Sequence, residues 1–210
     1  MDVIIVGAGG HGRVVLEILR SAGQHRVVGF LDADESLAGT TVMGVPVLGH
    51  PQHLLKVRGK AKGAIVAVGD NRARISYAKH LTEAGLELVS AIHPKSVVMA
   101  SVRIGRNVVV AAGAVVGTEA VVEDSVIINT SAVVDHECVI GEGAHIAPGA
   151  VLAGRVRIGA GAFVGLGSRI IQCLSVGEGA VVGAGAVVLR DIAAGVTVVG
   201  VPAKVIRAKT

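Results

Sequence analysis

The sequence predicts a small α/β domain over residues 1–89, followed by a parallel β-helix. Three observations lead to this prediction. Branched aliphatic residues recur at every sixth position from 92 to 188 without a slip in register. Segments with strand and helix patterns alternate before residue 90. Aromatic residues make up only 1% of a chain that is 51% hydrophobic, so the core must be built from small and branched side chains.

The six-residue row organises the second half of the chain. A helix repeats near 3.6 residues and would not keep such a row on one face, whereas short strands joined by tight corners keep it. With one hexapeptide on each side of a triangular prism, a coil takes about eighteen residues, and residues 92–188 then hold roughly five coils. The row consists of these residues: Ile92, Val98, Ile104, Val110, Val116, Val122, Ile128, Val134, Ile140, Ile146, Leu152, Ile158, Val164, Ile170, Val176, Val182 and Val188.

Small residues and glycines fill the remaining repeat positions. A small or aliphatic residue lies two positions before most members of the row, and glycine often follows a member. We expect the row to stack inside the prism, the small residues to fill its corners, and glycine to supply backbone angles that a Cβ would forbid. Cys138 falls on a small interior position and is predicted to be a core residue. The β-helix domain is predicted over residues 90–198, with a C-terminal tail at 199–210.

Residues 1–89 alternate between strand and helix patterns, which predicts a small parallel α/β sheet. One helix follows a glycine-rich turn, has Val14, Val15, Ile18 and Leu19 on one face, and ends near Gly23. The other predicted helices cover 51–57 and 72–84. The predicted strands cover 3–6, 26–31, 45–48, 64–68 and 86–89.

The glycine-rich turn follows the first predicted strand. Gly7, Gly9 and Gly12 match the pattern G-x-G-x-x-G. Asp32 lies 20 residues beyond the last of them, where a ribose-binding acid is expected. A second mononucleotide-binding half is absent, so we predict a Rossmann-like half-domain. The same absence disfavours an NAD-dependent oxidoreductase. Two interpretations of the turn stay open: a phosphate site for one nucleotide and a plain tight turn.

One polar segment interrupts the repeats and contains His136 between Asp135 and Glu137. His136 is the second residue after Val134 of the row, so its side chain is not expected in the interior. A carboxylate bonded to an imidazole fixes the tautomer and raises the basicity, as a general base requires. A surface histidine with charged neighbours fits the same spacing. His145, nine residues later, is interpreted from the sequence alone as a corner or surface histidine.

Charge and cysteine content exclude several classes of protein. The net charge of +4 is modest and the basic residues form no patch interleaved with aromatic residues, which disfavours nucleic acid. A mild positive charge does suit a polyphosphate ligand. Cys138 and Cys173 give neither a disulfide framework nor zinc spacing. The repeats offer only His136 and His145, with His93 remote, so no metal is predicted.

The chain ends offer less information. Met1 leads straight into a strand pattern, and no apolar run reaches membrane-spanning length, so we expect a cytoplasmic protein without membrane insertion. The tail carries Lys204, Arg207 and Lys209. Both an anion contact and a solvated tail fit this basic segment.

Four stretches, together with the six-residue row, match a known family. They are Asn-Thr-Ser…His-Glu-Cys-Val-Ile-Gly at 129–141, Gly-Val-Pro-Ala-Lys at 200–204, Gly-Ala-Gly-Gly-His-Gly at 7–12 and Phe-Leu-Asp at 30–32. The chain resembles the left-handed β-helix acyltransferases over about its full length. It is most similar to the two-domain branch that acetylates sugars. That branch includes N-acetyltransferases of nucleotide-linked 4-amino-6-deoxy sugars, such as the bacillosamine and perosamine pathway enzymes, and sialic acid O-acetyltransferases.

The resemblance implies a left-handed β-helix, a homotrimer, and acetyl-CoA bound in the cleft between neighbouring prisms. It implies that His136 is the catalytic base and Glu137 its carboxylate partner. One departure concerns the Phe-Leu-Asp stretch, where some members carry a second acid and this chain has Ala33. The implied acetyl-CoA contacts are His145, Leu166 and Ala184. The implied nucleotide-sugar contacts are Gly10, His11, Gly12, Asp32 and Gly69.

We therefore predict an acetyl-CoA-dependent N-acetyltransferase that acts on the amino group of a nucleotide-linked amino-deoxy sugar. Transfer is predicted to be direct, with His136 as base and with a backbone N–H or His145 at the thioester oxyanion. One alternative keeps this chemistry and takes a hydroxyl of sialic acid or another sugar as acceptor. A second alternative is a non-catalytic protein that binds nucleotide sugars, against which the paired His136 and Glu137 argue.

Overall fold

The computed structural model describes residues 1–54 and 58–207, and the chain forms two compact units, Met1–Pro94 and Lys95–Thr210. The first unit contains, in chain order, β1 (Asp2–Val6), α1 (Gly10–Ala22), β2 (Arg26–Leu31), β3 (Thr41–Val42), β4 (Val45–Pro46), β5 (Gly63–Val66), α2 (Asn71–Glu83), β6 (Glu87–Leu88) and β7 (Ala91–Ile92). Strands β2, β1, β5 and β6 form a parallel sheet in that order. The predicted parallel α/β sheet is confirmed.

Two predicted elements of the first unit differ from the structure. The strand predicted over 45–48 ends at Pro46, because β4 pairs with β3 in a short antiparallel hairpin and only Val47 bridges back to Phe30 of β2. The helix predicted over 51–57 begins as a single 3₁₀ turn at Pro51–His53, and residues 55–57 lie outside the described part of the chain.

Helix α1 buries Val15, Leu16, Ile18 and Leu19, a set spaced for one face of a helix. The prediction placed Val14 on this face, but its side chain is exposed and Leu16 takes its place. The helix ends at Gly23, whose left-handed φ of 68° lets its N–H donate to the carbonyl of Leu19.

The second unit is a parallel β-helix whose strands mostly contain two residues. The strands are β8 (Val97–Val98), β9 (Arg103–Ile104), β10 (Val109–Val110), β11 (Val115–Val116), β12 (Val121–Val122), β13 (Ile127–Ile128), β14 (Val133–Val134), β15 (Val139–Ile140), β16 (His145–Ile146), β17 (Val151–Leu152), β18 (Arg157–Ile158), β19 (Phe163–Val164), β20 (Arg169–Ile170), β21 (Ser175–Val176), β22 (Val181–Val182), β23 (Val187–Val188), β24 (Thr197–Val199) and β25 (Lys204–Arg207).

Every third strand stacks on the same face of the β-helix. Strand β11 pairs in parallel with β14, β12 with β15 and β13 with β16, each in a register of 18 residues. One face stacks β8, β11, β14, β17, β20 and β23, so the unit has six turns. The prediction of roughly five turns was too low, since this face alone has six strands between Val97 and Val188. The solenoid also continues beyond Val188 to β24, which pairs in parallel with β22. Strand β25 then turns back and pairs antiparallel with β24.

The aliphatic row forms the core of the β-helix, as predicted. All its members from Val110 to Val188 are buried, and Val98 and Ile104 pack against them as partly buried residues. Alanines fill the adjacent interior positions, and Cys138 is fully buried among them. Ile92 is an exception, because its side chain is exposed and the interior row begins at Val98.

Candidate active site

The corner that follows β14 and its equivalents carries the polar segment of the β-helix. We call this the His136 corner; it consists of residues 118–119, 136–137, 154–155 and 172–173 of four successive turns. The second residue of each pair has a left-handed φ between 57° and 63°, although none of the four is glycine. Side chains in this conformation are uncommon and occur preferentially at functional sites.

His136 and Glu137 form a hydrogen-bonded pair at this corner. Nδ1 of His136 lies 2.9 Å from Oε2 of Glu137. The backbone N–H of His136 donates to Oδ1 of Asp135 at 2.7 Å. The His136 side chain is 50% exposed and that of Glu137 is 41% exposed. The prediction that His136 lies outside the core is therefore confirmed.

The pairing fixes how the imidazole can act. An ionised carboxylate only accepts hydrogen bonds, so Nδ1 of His136 must donate and Nε2 keeps the lone pair. The hydrogen bonds from His136 and then from Arg155 hold the pKa of Glu137 below its usual range. Glu137 is therefore ionised at neutral pH. An imidazole with a free Nε2 and an anionic partner on Nδ1 has the arrangement of a general base.

Residues of the next turn of the β-helix, Gly154 and Arg155, contact this pair. Nε of Arg155 donates to Oε2 of Glu137 at 3.0 Å, and the N–H of Arg155 donates to the backbone carbonyl of His136 at 2.9 Å. A Cβ built on Gly154 would lie 2.3 Å from Nε2 of His136 and 2.5 Å from Cε1. The imidazole thus occupies the space that a side chain at residue 154 would need.

Asn129 fixes the tautomer of the second histidine, His145. Oδ1 of Asn129 accepts from the N–H of Thr130 at 2.8 Å, so its Nδ2 faces Nε2 of His145, at 3.2 Å. Nε2 of His145 must therefore accept, and Nδ1 carries the hydrogen. The ring of Phe163 meets the imidazole edge to face, with 5.1 Å between the ring centroids. The half-buried ring of His145 is thus held in one tautomer, with its Nδ1 atom buried.

Leu166 and Ala184 lie at a different corner from His136. They occupy equivalent places in successive turns, and the N–H of Gly185 donates to the carbonyl of Leu166 at 2.8 Å. Leu166 is 57% exposed although it is apolar. One face of the β-helix separates this corner from the His136 corner. Within one chain, the structure does not bring the predicted base together with Leu166 and Ala184.

The first unit contains a cavity of about 390 Å³ at the carboxyl ends of β1 and β5. Strand β2 lies beside one edge of β1, and the chain then crosses over to place β5 beside the other edge. The ends of β1 and β5 therefore form a topological switch point. Ligands of parallel α/β sheets bind at such points. Four of the five predicted nucleotide-sugar contacts line the cavity: Gly10, His11, Asp32 and Gly69.

The glycines of the turn have different roles. Gly7 has a φ of 105°, and a Cβ there would lie 2.6 Å from the carbonyl oxygen of Ala67. Gly12 is buried and does not line the cavity; a Cβ there would meet the carbonyl oxygen of Gly7. Gly12 therefore allows α1 to pack against the turn. By contrast, a Cβ on Gly9 or Gly10 would meet nothing within 4 Å, so these two positions leave the start of α1 open.

Asp32 joins the glycine-rich turn to the loop after β2. Its Oδ2 accepts from the N–H of Ala8 at 2.6 Å and its Oδ1 accepts from the N–H of Asp34 at 2.8 Å. Both carboxylate oxygens hold backbone at the mouth of the cavity. Each still has a second lone pair that a ligand hydroxyl can reach.

A neutral histidine lines the cavity, and a buried arginine holds Gly69, another of its lining residues. Arg74 is fully buried in α2 and donates to the carbonyls of Val68 and Gly69 and to Oδ1 of Asn71. Burial, and then the nearby charge of Arg74, lower the pKa of His11 to about 4, so His11 is neutral at pH 7. Nε2 of His11 is buried and meets no hydrogen-bond partner among residues 1–54 and 58–207.

Sequence reasoning missed Arg74, Gly154 and Arg155. Two of them left a signal, because residues 18 apart are neighbours in successive turns. Arg155 follows Glu137 by 18 residues and has the opposite charge. Gly154 stands in a column with Thr118, His136 and Gln172, all of which have side chains. Arg74 left no signal, since a single arginine in an amphipathic helix is ordinarily exposed.

Neither a metal centre nor a membrane span is found in the described part of the chain. Residues 1–54 and 58–207 contain no group of three histidine, cysteine or acidic side chains that could hold a metal ion. No helix within these ranges is both long and apolar enough to cross a membrane. Cys138 and Cys173 are both free thiols.

Comparisons with known proteins agree with this description. Residues 2–81 match the model of the PglD N-terminal domain, and residues 119–154 match that of the bacterial transferase hexapeptide. UDP-N-acetylbacillosamine N-acetyltransferase of Bacillus subtilis is 34% identical over 114 residues, which are 53% of this chain and 51% of that protein. The match thus spans about half the length of this curated relative.

Two solved structures match nearly the whole chain. An alanine variant of GDP-perosamine N-acetyltransferase from Caulobacter crescentus, solved with CoA and GDP-perosamine, is 42% identical with a TM-score of 0.94; the match covers 99% of this chain and 98% of that one. The acetyltransferase domain of PglB from Neisseria gonorrhoeae, in complex with acetyl coenzyme A, is 41% identical with a TM-score of 0.92, and the match covers 98% of both chains. The fold and the paired histidine define a hexapeptide-repeat acyltransferase. The chain belongs to the two-domain sugar acetyltransferases of that class.

Proposed function

We propose that this protein transfers the acetyl group of acetyl-CoA to the amino group of a nucleotide-linked amino-deoxy sugar. One observation carries the proposal: Nδ1 of His136 is bound to the ionised Glu137, which leaves Nε2 as a base on an exposed corner. The three relatives support the substrate class, since each is named as an acetyltransferase or its acetyltransferase domain and two act on nucleotide-linked sugars by name.

The reaction follows as a direct transfer. The sugar amine attacks the thioester carbon, and Nε2 of His136 takes a proton from the nitrogen as the new C–N bond forms. The C–S bond then breaks, and the imidazolium returns the proton to the CoA sulfur. Glu137 holds the ring in place and stabilises its transient positive charge. A positioned base contributes about 10²–10⁴-fold, so orientation of the two substrates must supply much of the remaining acceleration.

His145, Leu166 and Ala184 are proposed to line the acetyl-CoA path. His145, held in one tautomer by Asn129, is one candidate for stabilising the thioester oxyanion, and a backbone N–H is the other. Exposed apolar side chains such as Leu166 suit the pantetheine arm. No metal ion is needed for these steps.

The cavity of the first unit is proposed to bind the nucleotide sugar. Gly9 and Gly10 leave the start of α1 open, and no side chain caps this end of the helix in the described chain, so its N–H groups can receive a diphosphate. Asp32 lies where a ribose hydroxyl is expected, and the neutral His11 brings an unpaired ring nitrogen to the same cavity. Gly69, held by Arg74, forms the opposite wall.

Release of CoA thiol tests the proposed function directly. Acetyl-CoA is incubated with the protein and a panel of UDP-, dTDP-, GDP- and CMP-linked 4-amino sugars, their 4-hydroxy analogues, free sialic acid and NAD. We expect thiol release with at least one amino sugar and none with its hydroxy analogue. Release with sialic acid or a hydroxy sugar would instead indicate O-acetylation, and binding of sugar without any release would indicate a non-catalytic binding protein.

The proposed active unit is a homotrimer in which neighbouring chains share each site. His136 and the corner that carries Leu166 and Ala184 are separated by a whole face of the β-helix, so one chain cannot offer both to one thioester. A second copy related by a three-fold axis can bring the Leu166 corner next to His136.

Mixing two inactive variants tests the shared site. His136→Ala lacks the base, and Asp32→Ala lacks the carboxylate that holds the cavity, so each should be inactive alone. We propose that the first unit of one chain holds the sugar on which His136 of a neighbouring chain acts, so part of the activity should return in mixed trimers. No recovery in hetero-trimers whose formation is shown by native mass spectrometry would mean that His136 and Asp32 of each site belong to one chain, which contradicts this arrangement.

A further inference from the structure

The ion pair between Arg155 and Glu137 shares an oxygen atom with the hydrogen bond between Glu137 and His136. The same oxygen, Oε2 of Glu137, accepts from Nε of Arg155 at 3.0 Å and from Nδ1 of His136 at 2.9 Å. A carboxylate with two equivalent oxygens could receive these donors separately. Here the guanidinium and the imidazole converge on one atom, so the position of each depends on the other.

The backbone of the β-helix fixes this arrangement. Glu137 and Arg155 occupy the same place in successive turns and have similar left-handed φ angles, 57° and 62°. The N–H of Arg155 donates to the carbonyl of His136 at 2.9 Å, which ties the two turns together directly beneath the ring. The backbone that carries Arg155 is therefore hydrogen-bonded to the turn that carries Glu137.

We propose that Arg155 is a positioning residue of this acetyltransferase, which holds Glu137, and through it the imidazole of His136, in the geometry needed for catalysis. The inference rests on the proposed function of His136 as the base. Arg155 acts through Glu137 and touches no reacting atom in this scheme.

The exposure of Glu137 makes this support necessary. Its side chain is 41% exposed, so little packing restrains it. Without Arg155, the carboxylate would lose the donor from the neighbouring turn and keep its hydrogen bond to Nδ1 of His136. It could then change its side-chain conformation and carry the imidazole with it.

Stability does not explain the pair. The Arg155 side chain is 62% exposed, and exposed ion pairs contribute little to folding. The chain offers a matched comparison: Arg106 pairs with Asp124, also 18 residues apart in successive turns, at 2.8 Å and with Arg106 65% exposed. That pair lies at another corner, and no hydrogen bond or ion pair joins it to a histidine in residues 1–54 and 58–207.

The test compares Arg155→Gln, Arg155→Lys and the control Arg106→Gln. For Arg155→Gln we expect kcat at neutral pH to fall about three- to ten-fold, with both KM values changed less than about two-fold. Arg155→Lys, which keeps a donor to Glu137, should restore most of kcat. Arg106→Gln should leave kcat and both KM values unchanged.

Other outcomes would overturn the inference. An unchanged kcat in folded Arg155→Gln would show that the pair is only structural, and a large rise in KM for acetyl-CoA with an unchanged kcat would make Arg155 a ligand contact. An equal fall of kcat in Arg106→Gln would indicate a general charge effect. Failure of the proposed function is distinguished separately, because the wild-type protein would then release no CoA thiol with any amino sugar. If only the role of His136 fails, His136→Ala remains active whatever Arg155 does.

Discussion

Replacing His136 with alanine should lower kcat by about 10²-fold or more while acetyl-CoA still binds. The imidazole removes a proton only as the amine attacks, so its loss raises the barrier without weakening the ground-state complex. The fold should be unaffected, because the side chain is half exposed and packs on Gly154 rather than in the core. The measurements are steady-state rates with the preferred amino sugar and calorimetric binding of acetyl-CoA.

The matched control is His80→Ala, which removes an exposed histidine from the last turn of α2. It should keep the full rate. Near-normal turnover in His136→Ala would contradict the assignment of the base, and loss of acetyl-CoA binding in that variant would make His136 a binding residue.

Replacing Gly154 with alanine should damage catalysis almost as strongly. The added Cβ would lie 2.3 Å from Nε2 of His136, closer than real Cβ contacts, so the ring must turn away and weaken its hydrogen bond to Glu137. A displacement of this size costs about 10²-fold in rate when the group is catalytic. The backbone itself accepts alanine, because Gly154 is absent from the residues with positive φ.

A double-mutant cycle isolates the cause of this loss. If Gly154 acts through the imidazole, Gly154→Ala should reduce kcat in the wild-type background and have little further effect in His136→Ala. An equal loss in both backgrounds would show that the methyl group blocks a substrate or distorts the corner instead. Far-ultraviolet circular dichroism and the thermal midpoint of each variant check that the β-helix is intact.

Most of the fold of the second unit could be predicted from the six-residue period of the sequence. Because a β-helix repeats its contacts every turn, the row from Val98 to Val188 specified the interior, the strand positions and the register together. The ends were less predictable. Ile92 has the right residue type but its side chain is exposed, and β24 (Thr197–Val199) continues the solenoid where the row no longer holds its strict period.

The site was only partly predictable, and the reasons differ from residue to residue. His136 and Glu137 are adjacent in sequence, so their pairing could be expected. Gly154 and Arg155 act across turns, and recognising them requires comparing residues 18 apart. Gly12 was assigned to the nucleotide sugar, yet in the structure it packs α1 against Gly7, because a sequence pattern does not separate glycines that face a ligand from glycines that face the backbone.

Direct transfer from acetyl-CoA to the amine, with His136 as base, can be tested by a rapid-quench single turnover. Excess enzyme is mixed with acetyl-CoA labelled in its acetyl group and the preferred amino sugar, and the label is followed on protein and sugar. We expect the label to pass to the sugar as an amide stable to hydroxylamine and never to appear on the protein. In His136→Ala the same transfer should be about 10²-fold slower or more. Labelled protein that forms first and then passes its label to the sugar, or a labelled ester in place of the amide, would contradict it.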